Sequence, residues 1–576
     1  MMATSESPKL EQKTESAAER SAGHWLERLD QWCHQVGDQL NPILVKETRQ
    51  SLKSRQFIFT FFSLLAAALA WTVVGSLSRM PQIYSTPSAP TLLLGYYAVL
   101  AIPMLMVVPL AAYRSLEVEI DDGTFELLSI STLSPWQIVL GKLASSLLQI
   151  LLYFVVLLPC MSYAYSLRGV DLTEMALMIS AVLGSAVLLT ILALFMAPLT
   201  RSRTGRTLTL LATVIALLSA TTGISFLMSD LIQNGNPFLE RQLFLVVAVC
   251  VSTGIALGHL LLTATAAQLT PESENRSTAI RRSLLLLSST IVFASALATL
   301  TVYPSRSRPY LLFSQEEILF GTSIASWVIW TITGGMMVAE SSLLTPRVRR
   351  DLPGSIISRT FSTWLTPGPV TGQIFVSMNA VILVIWHGHG LKWLASQVLE
   401  TNAYNSVSRK IDSIDELNST FAAYLLITLL LNRWLCSMIR RKQNIRVEVG
   451  IASLIAITLM MVLIPYSIGL HFNEFRPYSY STWQISNWFW TLAAISEGED
   501  VGSTPLYVKS IACMCLFGTL LFNAKLTRPT RTALPKRVAE ESKKSRQPEG
   551  DNDIFGTDPK EFNAAQPPMD RGDSIE

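Results

Sequence analysis

The sequence predicts an all-α polytopic membrane protein with about twelve transmembrane helices. Half of its 576 residues are hydrophobic, and its mean hydropathy is +0.38. Only 15% of the residues are charged, compared with about 25% in typical soluble domains. Apolar runs of about 20 residues, the length that crosses a hydrocarbon core as a helix, recur along the chain. The six cysteines mostly lie in these runs without metal-ligand spacing, so we expect them to be reduced packing residues.

Twelve apolar runs are predicted to be spans. In chain order they cover residues 57–78, 91–113, 138–167, 175–199, 207–228, 243–268, 283–303, 318–340, 373–388, 420–439, 447–470 and 506–524.

Basic residues alternate between the loops as twelve spans with both termini inside require. Arginine clusters at 201–206, 276–282, 347–359 and 440–446 fall in loops on one side of the predicted membrane. Loops rich in Lys and Arg are retained in the cytoplasm, so both termini are predicted to be cytoplasmic. The loop at 114–141 is acidic instead, with Arg114 as its clear basic residue. A basic docking partner would explain an acidic loop at this face.

That loop carries helix signals at both ends. Thr124 is a candidate N-cap, and Glu126 places a carboxylate in the first turn, where the helix dipole favours negative charge. Ser134 and Pro135 begin a second helix that leads into span 3, because proline is well suited to the first helical position. We therefore predict a short helix along the membrane face, a turn, and a return into the bilayer.

The order Gly-Thr-x-Glu-Leu-Leu and then Leu-Ser-x-Trp-x-Ile-Val-Leu-Gly-Lys resembles the loop between spans 2 and 3 of type 2 ATP-binding-cassette permeases. Residues 123–142 match without a gap, although the family usually has proline where this chain has Thr132. The resemblance implies a coupling helix docked on a separate ATPase subunit. An ordinary amphipathic interfacial segment is the alternative interpretation. The implied ATPase-coupling residues are Glu119, Asp121, Asp122, Gly123, Thr124, Glu126, Leu127, Leu128, Ser134, Pro135, Gly141 and Lys142.

The segments before span 1 and after span 12 are polar or amphipathic. Residues 1–21 and 525–576 are polar and are predicted to be disordered cytoplasmic tails. Residues 22–56 are predicted to form an amphipathic interfacial helix and then a basic approach to span 1. This approach, Asn-Pro-x-x-x-Lys-Glu, also resembles the family, but its charges at 46–55 are interpreted mainly as membrane anchors.

Two six-helix halves are the hypothesis for the remaining organisation, 57–268 as a first permease half and 269–524 as a diverged second half. In the second half Glu340 ends span 8, and the loop before span 9 contains Thr363-Trp364-Leu365-Thr366-Pro367, which has some likeness to 133–136. Repeats of this kind are common among transporters.

We expect no catalytic, cofactor or metal site on this chain. Gly141-Lys142 lacks the upstream glycine of a phosphate loop, and His387-Gly388-His389 is better explained as a histidine pair at the membrane edge than as a metal site. The resemblance implies that ATP and Mg bind a separate partner subunit. It also implies that the chain is the permease subunit of an ATP-driven exporter in a bacterial plasma membrane, and not an enzyme. Its expected partners are the ATPase, the lipid bilayer, a second copy or second permease, and an unknown exported substrate, but no nucleic acid.

Two other functions remain open. One is a permease-like scaffold or assembly factor that no longer transports. The other is a polytopic glycosyltransferase, which would need catalytic groups on an outer loop. Of the two long outer loops predicted, 390–419 and 472–505, the first carries Asp412, Asp415 and Glu416, a pattern too generic to indicate catalysis by itself.

Overall fold

The computed structural model describes residues 42–81, 86–122, 134–200, 202–234, 240–271, 274–300, 315–341, 344–350, 363–399, 401–441, 447–476, 480–499 and 501–523. All regular secondary structure in these ranges is helical, and they contain no β-strand. The predicted interfacial helix at 22–40, both tails, and residues 123–133 of the acidic loop lie outside the described residues.

Twelve of the described helices are long and apolar enough to cross a membrane, which confirms the predicted fold class. Numbered as spans 1 to 12, they are Arg55–Ser78, Ala89–Asp121, Pro135–Ser166, Leu172–Met196, Arg203–Gln233, Phe244–Leu269, Ser277–Leu300, Glu317–Val338, Pro369–Val398, Tyr404–Arg440, Val449–Phe472 and Thr504–Leu521. The shorter elements are helix α1 (Pro42–Leu52), helices Pro346–Arg350 and Trp488–Glu497, and 3₁₀ turns Thr363–Leu365 and Thr482–Gln484.

Spans 2 and 9 each contain one π-helical turn, at Pro103–Val107 and Trp386–Gly390. In span 2 the turn begins at Pro103, whose missing N–H and bulky ring disturb the regular hydrogen-bond ladder. The helix then continues past the predicted end at 113 to Asp121. Glu119 and Asp121 therefore belong to the last turn of a helix, where the sequence predicted a loop.

The segment 390–419, predicted to be a long outer loop, is helical at 390–398 and 401–419, so the prediction of a loop there was wrong. Helix Leu391–Val398 completes span 9, and the helix of span 10 begins at Thr401. Leu391, Ala395, Val407 and Ile411 are buried together on one side of these helices. The charged residues that suggested a loop lie on a partly solvated face of the same helices, as in any amphipathic helix.

The packed apolar side chains form separate clusters in the two parts of the chain. The largest buried cluster draws its members from spans 1 to 5, from Leu64 to Ile232. A second cluster draws on spans 7 to 11, from Leu284 to Leu454. A small group of Ala256, Leu287 and Ile291 joins span 6 to span 7. Contacts between distant spans thus concentrate within each half of the sequence.

Spans 8 and 11 cross at a point where only small residues fit. A Cβ atom added to Gly450 would lie 2.5 Å from the carbonyl oxygen of Gly335 and closer still to the Cβ of Ala339. The Gly450 carbonyl also accepts a hydrogen bond from the Asn432 side chain of span 10, at 3.1 Å. Glycine at 450 therefore allows three helices to approach closely, as small residues do in membrane bundles.

We predict that Gly450→Ala destabilises the protein by about 1–3 kcal/mol, because the added methyl group has to displace backbone. Gly518→Ala in span 12 is the matched control, since a Cβ at 518 meets no atom within 4 Å. Unfolding by SDS titration in mixed micelles measures both changes. Equal stability of the two variants would contradict the close crossing.

Candidate functional site

The structure places the predicted coupling residues at the two ends of the loop between spans 2 and 3. Glu119 and Asp121 end span 2, and Asp122 follows as an exposed residue. Ser134, Pro135, Gly141 and Lys142 begin span 3, where the last two are buried. Gly123, Thr124, Glu126, Leu127 and Leu128 lie outside the described residues. The predicted helix along the membrane face therefore stays a prediction.

Span 3 begins where the sequence predicted. The Ser134 hydroxyl accepts a hydrogen bond from the Gln137 amide at 3.3 Å, and the Gln137 side chain accepts one from the Ser134 amide at 2.9 Å. This reciprocal capping box satisfies two backbone donors at once, and Pro135 occupies the first helical turn without losing a bond. The start of span 3 is thus fixed locally, seven residues before Lys142.

A buried lysine ties three elements together just inside this loop. The Lys142 ammonium lies 3.1 Å from a Glu47 carboxylate oxygen and 3.0 Å from a Glu119 carboxylate oxygen. It also donates to the Ser115 hydroxyl at 2.8 Å, and that hydroxyl donates to Glu47 at 3.1 Å. We call Glu47, Ser115, Glu119 and Lys142 the Lys142 cluster. It joins α1, span 2 and span 3.

Burial makes the Lys142 cluster energetically important. The Lys142 side chain is 1% exposed, and those of Glu47 and Glu119 are 11% and 12% exposed. Lys46 adds a second cation, because its ammonium lies 3.3 Å from the other Glu119 oxygen, although its side chain is 60% exposed. Two lysines and two glutamates thus compensate each other. Removing one partner from a buried ion pair leaves an uncompensated charge, so the arrangement holds α1 against the bundle.

Lys46 and Glu47 correct the interpretation of the basic approach to span 1. The sequence analysis treated the charges of this segment as membrane anchors, whereas the structure places Glu47 in the bundle and Lys46 in contact with span 2. One signal in the sequence was available. Glu47 follows Ile43 by four residues, so both lie on the same buried face of α1. Ser115 was not predicted either, and nothing in its local sequence distinguishes it.

Two further carboxylates at the end of span 2 have different surroundings. Asp121 forms an ion pair with Arg206 at the start of span 5. Asp122 is exposed and makes no ion pair with any residue that the structure describes. Among Glu119, Asp121 and Asp122, the described acidic residues of the predicted coupling set, Asp122 is thus the one without an ion pair.

A second buried ion pair lies at the end of span 8. Arg281 of span 7 is 0% exposed, and its guanidinium lies 2.7 Å from the Glu340 carboxylate at the end of span 8. The same guanidinium donates to the Trp364 carbonyl at 2.7 Å, and it also contacts the carbonyls of Thr366 and Gly368. We call these five residues the Arg281 cluster. It folds the segment before span 9 around one arginine.

Glu340 closes the base of the loop between spans 8 and 9. Its carboxylate accepts hydrogen bonds from the Gly368 amide at 2.7 Å and from the Ser277 hydroxyl at 2.6 Å. Gly368 has φ +140°, a conformation that favours glycine. Gly372 packs against Met337, where a Cβ would lie 2.7 Å from the methionine Cβ. The two ends of this loop are therefore held within hydrogen-bonding distance of each other.

The sequence analysis assigned Arg281 to a loop, which the structure corrects. Span 7 begins at Ser277, six residues before the predicted start at 283. Arg281 lies inside that helix on the same face as Ser277 and Leu284, all of them buried. A positive charge near a span end was interpreted as a loop signal, and its burial depends on contacts from 340 and 364–368 that are distant in sequence.

Comparison of the chain with protein-family models, with curated proteins and with solved structures gives no significant match. The functional assignment therefore depends on the sequence pattern and on the geometry of the two clusters.

We predict that Lys142→Met lowers the free energy of unfolding by about 3–5 kcal/mol, because it leaves Glu47 without a cation and Glu119 with only the exposed Lys46. Lys46→Met is the matched control. Its side chain is 60% exposed, so its loss should cost less than about 1 kcal/mol. Adding Glu47→Gln and Glu119→Gln to Lys142→Met should restore most of the stability. SDS-titration unfolding measures all four proteins, and equal loss in both single variants would refute the buried cluster.

We predict that Glu340→Ala opens the base of the loop between spans 8 and 9. The Gly368 amide loses its acceptor and Arg281 its counter-charge, so hydrogen exchange at 363–368 should rise by at least about tenfold, the equivalent of about 1.4 kcal/mol. Glu274→Ala is the control, because Glu274 pairs with Arg347 at 3.0 Å on the surface. Unchanged protection in Glu340→Ala would show that the ion pair does not hold the segment.

Proposed function

We propose that this chain is the membrane-spanning permease subunit of an ATP-driven exporter. A separate ATPase would bind ATP and Mg and dock on the loop between spans 2 and 3. Its closure would displace this loop and switch the bundle between inward and outward access, as rigid elements with two arrangements do. The resemblance of residues 123–142 to type 2 ATP-binding-cassette permeases supports this proposal.

The observation that carries the proposal is the position of the Lys142 cluster at both ends of this loop. Glu119 lies in the last turn before the loop, and Lys142 lies eight residues after Ser134. Their contact at 3.0 Å joins the two helices, and Glu47 adds α1. A force applied to the loop would therefore move α1, span 2 and span 3 together. Without these contacts, the loop backbone could change conformation while the helices stayed in place.

The Arg281 cluster supports the hypothesis of two six-helix halves, 57–268 and 269–524. In each half a glutamate at the end of the second span, Glu119 or Glu340, meets a buried cation beside the following loop. The cations differ in origin, since Lys142 lies on span 3 and Arg281 on span 7. The two halves are therefore similar in having an ion pair at the base of this loop, although the paired residues do not match position by position.

The proposal places the protein in a bacterial plasma membrane with both termini in the cytoplasm. The twelve apolar helices establish a membrane-embedded fold. The orientation is supported by the basic clusters in alternate loops. A second copy of the chain or a second permease subunit would complete the transporter, and the exported substrate is not specified by these features.

The docking surface is tested at Asp122, because Glu119 and Asp121 already serve internal ion pairs. We predict that Asp122→Lys reduces the amount of ATPase that co-purifies with the tagged chain by about tenfold, since like-charge contacts at an interface cost one or more kcal/mol. Glu499→Lys is the control, because Glu499 is exposed and lies between spans 11 and 12, on the side of the membrane opposite the proposed docking loop. This variant should co-purify with as much ATPase as the wild type.

Two outcomes would overturn the proposal. One is that no phosphate-loop ATPase co-purifies with the wild-type chain from native membranes, and the other is that Asp122→Lys binds it normally. A bound ATPase whose hydrolysis never responds to membrane extracts would instead favour the non-transporting scaffold.

A further inference from the structure

A cavity of about 430 Å³ lies between α1 and spans 1, 2 and 3, beside the Lys142 cluster. Its lining runs from Asp122 at the end of span 2 to Tyr153 near the middle of span 3. Pockets of about 300–1,000 Å³ hold small-molecule ligands in other proteins. This cavity is therefore large enough for a ligand of the size of one or two sugar rings.

One face of span 3 supplies the polar side of this cavity. Lys142, Ser145, Gln149 and Tyr153 follow one another at steps of three and four residues, and with Ser146, next to Ser145, they line the cavity. This spacing places them on a single helical stripe. Polar residues within a transmembrane helix normally face a partner or an aqueous path and not lipid. The stripe thus marks the cavity as a polar region inside an otherwise apolar span.

Gln149 distinguishes this stripe from an ordinary set of satisfied polar contacts. Ser145 lies 3.4 Å from the Ser51 hydroxyl, and the Tyr153 hydroxyl lies 2.5 Å from that of Thr60. Gln149 is 9% exposed, yet its amide forms no hydrogen bond with any residue in the described ranges. The amide nitrogen and oxygen keep accessible surface, so they face the open cavity and not a protein partner. The two donors and the acceptor oxygen of Gln149 therefore favour a ligand that both donates and accepts hydrogen bonds.

The charges around the cavity indicate which polar ligand fits. Its lining contains the cations Lys46, Arg114 and Lys142 and the anions Glu47, Glu119 and Asp122. These charges are equal in number, and Lys46 and Lys142 already pair with the two glutamates. The third cation, Arg114, forms no ion pair with a described residue, but it is exposed at the edge of the cavity, so the buried part of the cavity offers an anionic group no unpaired cation. The remaining polar groups are hydroxyls and amides, which match the hydroxyl groups of a sugar or another polyol.

The mouth of the cavity adjoins the lipid-facing side of span 1. Gln56 lines the cavity and is itself exposed. Phe59, one helical turn further on, is 73% exposed, and Phe62 is 63% exposed. On the opposite side Val118 lines the cavity and is 53% exposed. A ligand with a polar headgroup in the cavity would thus have apolar surface for its tail directly beside it.

We propose that this cavity binds the uncharged polyhydroxyl headgroup of a membrane amphiphile, with its apolar tail on Phe59 and Phe62. Gln149 donates to and accepts from the headgroup hydroxyls. The inference concerns binding by this chain alone. It does not depend on an ATPase or on transport, so it survives if the proposed coupling function fails.

Photolabelling of the full chain in phosphatidylcholine nanodiscs tests this proposal. The probe is a diazirine-bearing glucosyl diacylglycerol, and the readout is the label on spans 1 and 3 that unlabelled glucosyl diacylglycerol displaces. We expect this displaceable label in the wild type and a loss of about tenfold in Gln149→Leu, the equivalent of about 1.4 kcal/mol. Gln233→Leu at the exposed end of span 5 should label as the wild type does.

Ser145→Ala provides a second variant with a smaller change in volume, and we expect it to reduce the displaceable label several-fold. Competition with other unlabelled compounds tests which part of the ligand is recognised. Equal displacement by phosphatidylglycerol would overturn the preference for an uncharged headgroup, and equal displacement by free glucose would overturn the role of the tail. Undiminished label in both Gln149→Leu and Ser145→Ala, with both proteins folded, would refute the site.

Discussion

The contact of the Lys142 ammonium with two carboxylates is the interaction on which the first half of this structure depends. A lysine with 1% of its side chain exposed bears a desolvation penalty of several kcal/mol, which only close counter-charges and hydrogen bonds offset. Glu47, Ser115 and Glu119 supply these, and each comes from a different part of the fold or a different helical turn. The cluster therefore forms only when α1, span 2 and span 3 are all in place. It thereby fixes the positions of these three helices relative to one another.

The Arg281 cluster closes the base of its loop in a different way. Its loop between spans 8 and 9 is closed because Arg281 and Glu340 both bind the backbone of 364–368. The planar guanidinium offers five donors in a fixed geometry, so it can organise several carbonyl groups at once, whereas an ammonium acts as a compact point charge. Span 2 and span 3 are joined directly through side chains. Span 8 and span 9 are joined through a backbone segment wrapped around an arginine.

The cavity beside α1 shares side chains with the Lys142 cluster, which gives the two features a physical connection. Glu47 and Lys142 belong both to the cavity lining and to the Lys142 cluster. Any rearrangement that separates α1 from span 3 would change the shape of the cavity and break a buried ion pair in the same step. The shape of the cavity and the contact between α1 and span 3 thus depend on the same two side chains.

The sequence by itself determined the fold class, the number of spans and the start of span 3. These features depend on local properties, namely runs of about 20 apolar residues and the capping residues Ser134, Pro135 and Gln137. Only the tertiary structure decided which charged side chains are buried and which partners they contact. Glu47, Arg281 and Glu340 resemble other charged residues near span ends, and their burial follows from partners that are 59 to 95 residues away in the chain. Hydropathy reports whether a segment enters the membrane, but it contains no information about which distant side chain will meet a charge there.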